Sequence, residues 1–448
     1  MKTPFHHLIA GSLLVALPFQ PVVAQSLRDA VSHVMQSNPE LMAVQDERLA
    51  LQQRVEQAKA GYFPTVDINA GYGYERSVNP VTRALVRGGV SPNATTEFDR
   101  AESRIIMRQM LFDGFATKHA VDQAQSLADA AAYRVANNAE RIGLSTVGAY
   151  LNILRYRALR QLAEDNLKTH SEVFEQIKSR AQSGIGRRAD VDQAQARVAL
   201  ATTQFQSAER DYRDAETAYQ RVVGQLPEEL NDGNDVACER IPTSLEQALT
   251  NAFSAHPMLR AAASSYDAAL SQNLGANAPL MPRVDFEASA SWNNNLDGVK
   301  GKNEDVMAML RLRQNLLRGG ADIARIDETE HLSEQQKQLA EHAKRDVEQS
   351  VRLSWNALAI VSDRLPLLKA HAESAANTYK AYLLQFNNGQ RTLLDLLDVQ
   401  NEYFQSQSQY IQAQYDERYA RYRLLASTGS LIKSLELTPP GEAVVSAE

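Results

Sequence analysis

The sequence predicts a mixed, mainly α protein, built from long coiled-coil helical hairpins and four β-strands and written as one motif twice. Three observations carry this. Blocks of sequence recur in the same order in both halves of the chain. Two short stretches per half alternate apolar and polar residues with strand periodicity. Long proline-free stretches repeat apolar or alanine residues at every third or fourth position, as packed helices do.

The repeat is legible residue by residue. Ser26-Leu27 recurs as Ser244-Leu245, Pro39 as Pro257, Pro64 as Pro282 and Val66-Asp67 as Val284-Asp285. Further along, Arg108-Gln109 meets Arg313-Gln314, Gly114 meets Gly319, Gly184 meets Gly389, Asp190 meets Asp395 and Gly224 meets Gly429. The first half carries about 13 extra residues between Tyr74 and Phe98, in a Gly-, Pro- and Asn-rich stretch expected to be an exposed loop.

Each element follows from local chemistry. Asn38-Pro39 restarts a helix after a short amphipathic one, with Asn as cap and Pro in the first turn. Beyond it, Val66, Ile68, Ala70, Tyr72 and Tyr74 oppose Asp67, Asn69, Gly71 and Gly73; in the second half Val284, Phe286, Ala288, Ala290 and Trp292 oppose Asp285, Glu287, Ser289, Ser291 and Asn293. The first repeat thus covers 25–226, with strands at about 63–75 and 99–112 and helices at about 39–60, 114–183 and 187–226. A linker at 227–243 precedes the second repeat, 244–432, with strands at about 283–293 and 304–317 and helices at about 257–278, 319–387 and 392–431. Residues 433–448 form a tail. A helix of 70 residues is about 105 Å long, and the two shorter helices of each half, end to end, nearly match it. That arithmetic predicts a tube wall of uniform height. Pro366 is expected to kink the second long helix.

Composition excludes several classes. The net charge of −7 gives no reason to expect nucleic acid as a partner. A single cysteine, Cys238, rules out an intramolecular disulfide framework. There is no HExxH pattern, phosphate-binding glycine loop or Gly-x-Ser-x-Gly, so the chain reads as no enzyme, with no cofactor and no metal. Residues 1–24, with Lys2 before the apolar run Leu8–Leu17 and small residues ending at Ala24, read as a signal peptide. The residue just after that point is Gln25 and not a cysteine, so the exported chain is not expected to be lipid-anchored. The strands have an apolar face opposite a charged one and near-membrane length, which suits a barrel with lipid outside and water inside. Tyr62, Phe63, Phe112 and Trp292 are candidates for its aromatic girdles. Four strands cannot close a membrane barrel, so several chains must contribute.

The turn Asn388-Gly389-Gln390-Arg391-Thr392 ends one long helix and starts the next, with Thr392 as N-cap three residues before Asp395. Asp395 and Asp398 share a helix face. By themselves they read as charge complementing the helix dipole. The repeat adds a second tip at Gly184, so the acids also read as part of a ring around a pore.

The SLRDAV…NPEL opening, the AGYFPTVDINAGYGY strand, the RQMLFDGFAT junction, their second-half counterparts and GQRTLLDLLDVQNEYF resemble the TolC family of outer-membrane channel proteins over essentially the whole mature chain. The resemblance implies a homotrimer: a 12-stranded outer-membrane β-barrel joined to an α-helical periplasmic tunnel. It also implies docking, through a periplasmic adaptor (membrane fusion) protein, onto an inner-membrane ABC exporter or RND pump. Carried onto this sequence, it makes Asp395 and Asp398 the acidic residues of the periplasmic entrance and Arg391 the basic residue that ties neighbouring helices shut, with Asp190 as its partner. Phe386 stands where a tyrosine is often found. The run from Arg391 to Asp416 looks closest to the type I secretion members that export large repeat-containing adhesins or toxins; the alternative is the outlet of a multidrug efflux pump. A soluble adaptor or purely structural coiled coil is a third class, opposed by the amphipathic strands.

Overall fold

The structure is a computed structural model, and it describes residues 25–233 and 240–445. The signal peptide assigned to 1–24 and Cys238 lie outside the described residues. In chain order the elements are α1 (Leu27–Ser37), α2 (Pro39–Lys59), β1 (Thr65–Ser77), α3 (Pro80–Arg87), β2 (Thr96–Phe112), α4 (Ala116–Gln182) and α5 (Arg188–Val223). The second half continues with α6 (Leu245–Ala255), α7 (Pro257–Ala276), β3 (Arg283–Asn294), β4 (Lys302–Arg313), α8 (Ala321–Asn387), α9 (Leu393–Ser427) and the one-turn α10 (Leu431–Ser434).

The helices begin and end on the expected residues. Ser26 caps α1 in a reciprocal box with Asp29, Asn38 caps α2 ahead of Pro39, and Gly224 ends α5 with φ +89°. Both α4 and α8 are 67 residues long, about 100 Å of helix at 1.5 Å per residue. α8 continues through Pro366 without a break in its assigned span.

Three elements depart from the sequence reading. The stretch between β1 and β2 is not all loop: the Asn79 side chain accepts from the Thr82 amide and the Asn79 amide donates to the Thr82 hydroxyl, a capping box that starts α3. β2 begins at Thr96, three residues earlier than expected, because β1 runs on to Ser77 and pairs with it. β4 stops at Arg313 rather than 317, because its partner there, Arg283, is the first residue of β3. Pro282 precedes it and has no N–H to extend the ladder.

The four strands form one antiparallel sheet in the order β1-β2-β3-β4. β2 and β3 are neighbours although α4, α5, α6 and α7 lie between them in sequence. The register keeps the two faces separate: Ile68 opposes Ile105 and Ala290 opposes Val306, while Asn69 opposes Arg104 and Ser291 opposes Asp305. On the apolar face Ile68, Tyr72, Val306 and Leu310 are more than two-thirds exposed. Such a surface is stable only against lipid or another apolar phase. Both β1 and β4 are open edges, which further copies of the sheet would pair.

The main core sits at the middle of the helical body, where α1, α4, α5, α9 and α10 converge. Here Glu140 of α4 is buried and accepts the amides of Leu431 (2.8 Å) and Ile432 (3.2 Å) at the start of α10. Burial pushes its carboxyl up to about 7, against the pull of those two hydrogen bonds. α7 packs on both long helices, α4 and α8. α2, its repeat counterpart, packs on α4, and its other side exposes Met42 and Leu49. The repeat places a copy of α8 there, and α8 itself exposes Ile323 and Leu339. A second copy of α8 fits that side of α2 by the geometry that α7 already shows within one chain.

Candidate pore entrance at the helical tips

Two hairpin tips lie at the far end of the helical body from the sheet. The α4–α5 turn passes through Gly184 (φ +79°) and the α8–α9 turn through Gly389 (φ +72°). In each, the amide two residues after the cap reaches back to the last helical turn: Ile185 to the Arg180 carbonyl at 3.1 Å, Gln390 to the Gln385 carbonyl at 2.8 Å. The two turns differ at the next helix. Thr392 caps α9 with its side chain, whereas Arg187, at the matching place before α5, makes no side-chain cap.

Asp395 is the other half of that cap. Its carboxylate accepts the Thr392 hydroxyl at 2.9 Å and the Thr392 amide at 3.1 Å. The hydroxyl, then the amide, hold its carboxyl below the usual range, with Arg391 adding to the effect. Asp395 is therefore ionised and locked in one orientation. Asp398, one turn on, is exposed and lies 3.7 Å from the Arg197 guanidinium of α5. Asp190 stands half-buried in the first turn of α5.

The protomer does not place Arg391 against Asp190. Arg391 folds back along α8 of its own hairpin, donating from Nε to Gln385 at 3.0 Å and lying 4.3 Å from the centre of the Tyr382 ring. The turn leaves it only six residues from Gln385, so its own helix is the nearest partner. The tyrosine anticipated at position 386 thus has a counterpart one turn earlier, at Tyr382. Phe386 itself is buried, under the Arg180 guanidinium at 5.4 Å.

What joins the two hairpins is apolar. Val173 and Ile177 of α4 and Ala194 of α5 pack against Phe386, Leu393, Leu396 and Leu397. The α9 residues follow i, i+3, i+4 spacing, which puts them on one helix face. Gln176 donates to Asn387 at 3.3 Å beside this cluster. One turn before Val173, His170 is buried, and burial pushes its imidazole down to about 4, with the Arg197 charge adding to the effect. Arg197, Arg180 and Tyr382 carry the polar part of the tip. Sequence reading passed over all three, although Arg197 matches Glu402 in the repeat and so marks where the two tips differ in charge.

At the other end, the charged face of the sheet is an interlocked network. Arg108 lies 3.6 Å from Asp67 and 3.5 Å from Glu287, which pairs with Arg311 at 2.9 Å. Asp285 is held between Arg283 (3.1 Å) and Arg313 (2.6 Å). Charges of both signs on one side of a sheet whose other side is apolar need water on that side. Among the described residues no helix is long and apolar enough to cross a membrane, and no cluster of side chains could hold a metal ion.

Residues 30–225 and 248–430 match the model of the outer membrane efflux protein family, so both halves of the repeat fall within it. The chain belongs to that family. Its members are channels and not enzymes, and they reside in the outer membrane. Among similar proteins, outer membrane efflux protein BepC of Brucella suis is 26% identical over 95% of this chain and 89% of its own length. Alkaline protease secretion protein AprF of Pseudomonas aeruginosa is 24% identical over 94% of this chain and 88% of its own. The crystal structure of CusC has the same fold, with a TM-score of 0.76, 14% identity and coverage of 91% of this chain and 93% of that one. Outer membrane efflux channels of this kind are homotrimers working with adaptor and inner-membrane transporters. Three four-stranded sheets then close one barrel, and three pairs of hairpins close one helical tunnel.

Proposed function

We propose that this chain is the outer-membrane exit duct of a type I secretion machine, taking a large repeat-containing adhesin or toxin from an ABC exporter and periplasmic adaptor to the outside. Its similarity to the alkaline protease secretion protein over nearly the whole of both chains carries this reading. The tips form the entrance: Asp395 and Asp398 supply its acidic ring, Asp190 adds the first-half acid, Phe386 anchors the closed packing, and Arg391 stiffens the second hairpin. In the same reading 1–24 is an export signal and 433–448 a tail outside the repeats.

Similarity to BepC over the full length supports a second reading, the outlet of a multidrug efflux pump. Deleting the gene separates the two. A type I duct leaves a large protein missing from the culture medium with drug susceptibility unchanged. An efflux outlet lowers the inhibitory concentration of several unrelated compounds and leaves the secreted proteins as they were.

A further inference from the structure

The stretch that only the first half possesses folds back over the inside of the barrel. β1 leaves the helical body at Thr65 and ends at Ser77, so the Ser77–Thr96 pair marks the end of the sheet farthest from the helices. Ser77 lies on the charged, inward set with Asp67, Asn69 and Glu75. The turn between β3 and β4 rests on that row. A Cβ placed on Gly298 would lie 3.1 Å from Ser77 Cβ, 2.7 Å from Thr96 Oγ1 and 2.5 Å from Thr82 Cγ2. Turn and α3 therefore meet over the inward-facing side chains of Ser77 and Thr96. Polar contacts hold them there: Asn79 donates to the Asp297 carbonyl at 2.9 Å, and inward-facing Arg100 reaches the Asp297 carboxylate at 3.6 Å and Glu75 at 2.9 Å.

Thr82 is fully buried against the turn. Arg83 and Arg87, four residues apart on α3, lie on the side of the helix away from Thr82. Both are exposed, and among the described residues neither has an ion-pair partner, nor has Lys300 on the turn. The nearby acids Asp297 and Glu75 are both engaged by Arg100; Asp305 stands on the same inward face of β4, exposed. We propose that α3 and the β3–β4 turn form a cationic collar over the lumen at the channel's outer mouth, a binding site for multivalent phosphate-bearing anions. Threefold copies bring six guanidiniums to one opening, so the exit is opposite in charge to the acidic entrance. Guanidinium forks match phosphate oxygens in pairs, which makes phosphate a better ligand here than chloride. The collar does not depend on whether protein or drug passes through it.

The test uses the full-length trimer in planar bilayers of zwitterionic phosphatidylcholine, with tripolyphosphate added to one side at a time. From the exit side it lowers single-channel conductance in the wild type. Arg83→Ser with Arg87→Ser raises the half-blocking concentration by about tenfold or more while unblocked conductance is retained. Asp297→Ala, which frees the turn from Arg100, weakens the block with both arginines present. Equal block of wild type and double variant, or block from the entrance side alone, overturns the proposal. A conductance that responds to phosphatidylglycerol in the exit leaflet and not to soluble tripolyphosphate makes lipid phosphate the ligand, and overturns the lumenal placement.

Discussion

Leu396→Ala distinguishes an entrance closed by packing from one closed by charge. Leu396 is fully buried between the hairpins, and a buried Leu→Ala truncation costs about 2–5 kcal/mol. If the two hairpins separate when the entrance opens, that cost falls on the closed state alone. It then raises the open-to-closed ratio by a factor of about 30 to several thousand per protomer. The polar contacts are worth far less. Asp398 is 64% exposed, and an ion pair of that kind contributes about 0.2–1 kcal/mol, at most a factor of about 5. The hydrogen bond and ring contact of Arg391 are both with α8, and the acid it acts on, Asp395, belongs to the same hairpin, so these interactions survive a rigid separation of the two. Single-channel open probability of the purified protein, with vancomycin uptake by cells producing it, ranks the variants. The expected order of leakiness is Leu396→Ala, then Arg197→Ala, then Arg391→Ser. A tight Leu396→Ala channel beside a leaky Arg391→Ser channel would refute the reasoning and return the latch to Arg391.

Three further outcomes follow from other regions. Asp395→Asn with Asp398→Asn weakens block of the pore by divalent cations added at the entrance side, whereas Arg197→Ala, which frees Asp398, leaves block equal or stronger; titration of single-channel current checks both. Glu140 binds its proton more tightly folded than unfolded, so its contribution to stability is greatest below about pH 4.5 and is lost as pH rises to about 7, by on the order of 3 kcal/mol. Glu140→Gln removes that slope at a cost of about 1 kcal/mol for one lost hydrogen bond, and unfolding midpoints across pH, or amide exchange at Leu431 and Ile432, reveal it; parallel wild-type and variant curves would contradict it. Gly114→Ala strains the strand-to-helix junction, where φ is +68° and the new Cβ would lie 2.7 Å from the Ala278 carbonyl oxygen and 2.9 Å from Met281 Cβ; a cost of more than about 1 kcal/mol, seen as a lower unfolding midpoint, is expected, with a smaller cost at the equivalent Gly319→Ala, which carries the backbone strain of φ +61° but meets no close neighbour.

Much of this protein is local chemistry, which a sequence displays directly. Strand alternation separates a lipid face from a water face because side chains point to opposite sides with a period of two. Helix lengths follow from the distance between proline- or glycine-marked ends, and the duplicated Gly184 and Gly389 place two tips at one end of the helical body. Four strands in a membrane already require more than one copy. The tertiary structure decided what depends on residues brought together from far apart. Asp395 reads locally as a cap and is one, but that Asp398 answers Arg197, 201 positions earlier, needs α5 and α9 side by side. The partner of Arg391 turned on how the turn directs one side chain, which neither periodicity nor the repeat specifies. Glu140 looks like any polar residue on a long helix until the chain returns 291 positions later to bury it under α10. The first-half insertion has no counterpart in the second half from which to read its structure. Its helix is a short-range matter of Asn79 and Thr82, but its place over the lumen is set by Gly298, whose missing side chain leaves room for Thr82.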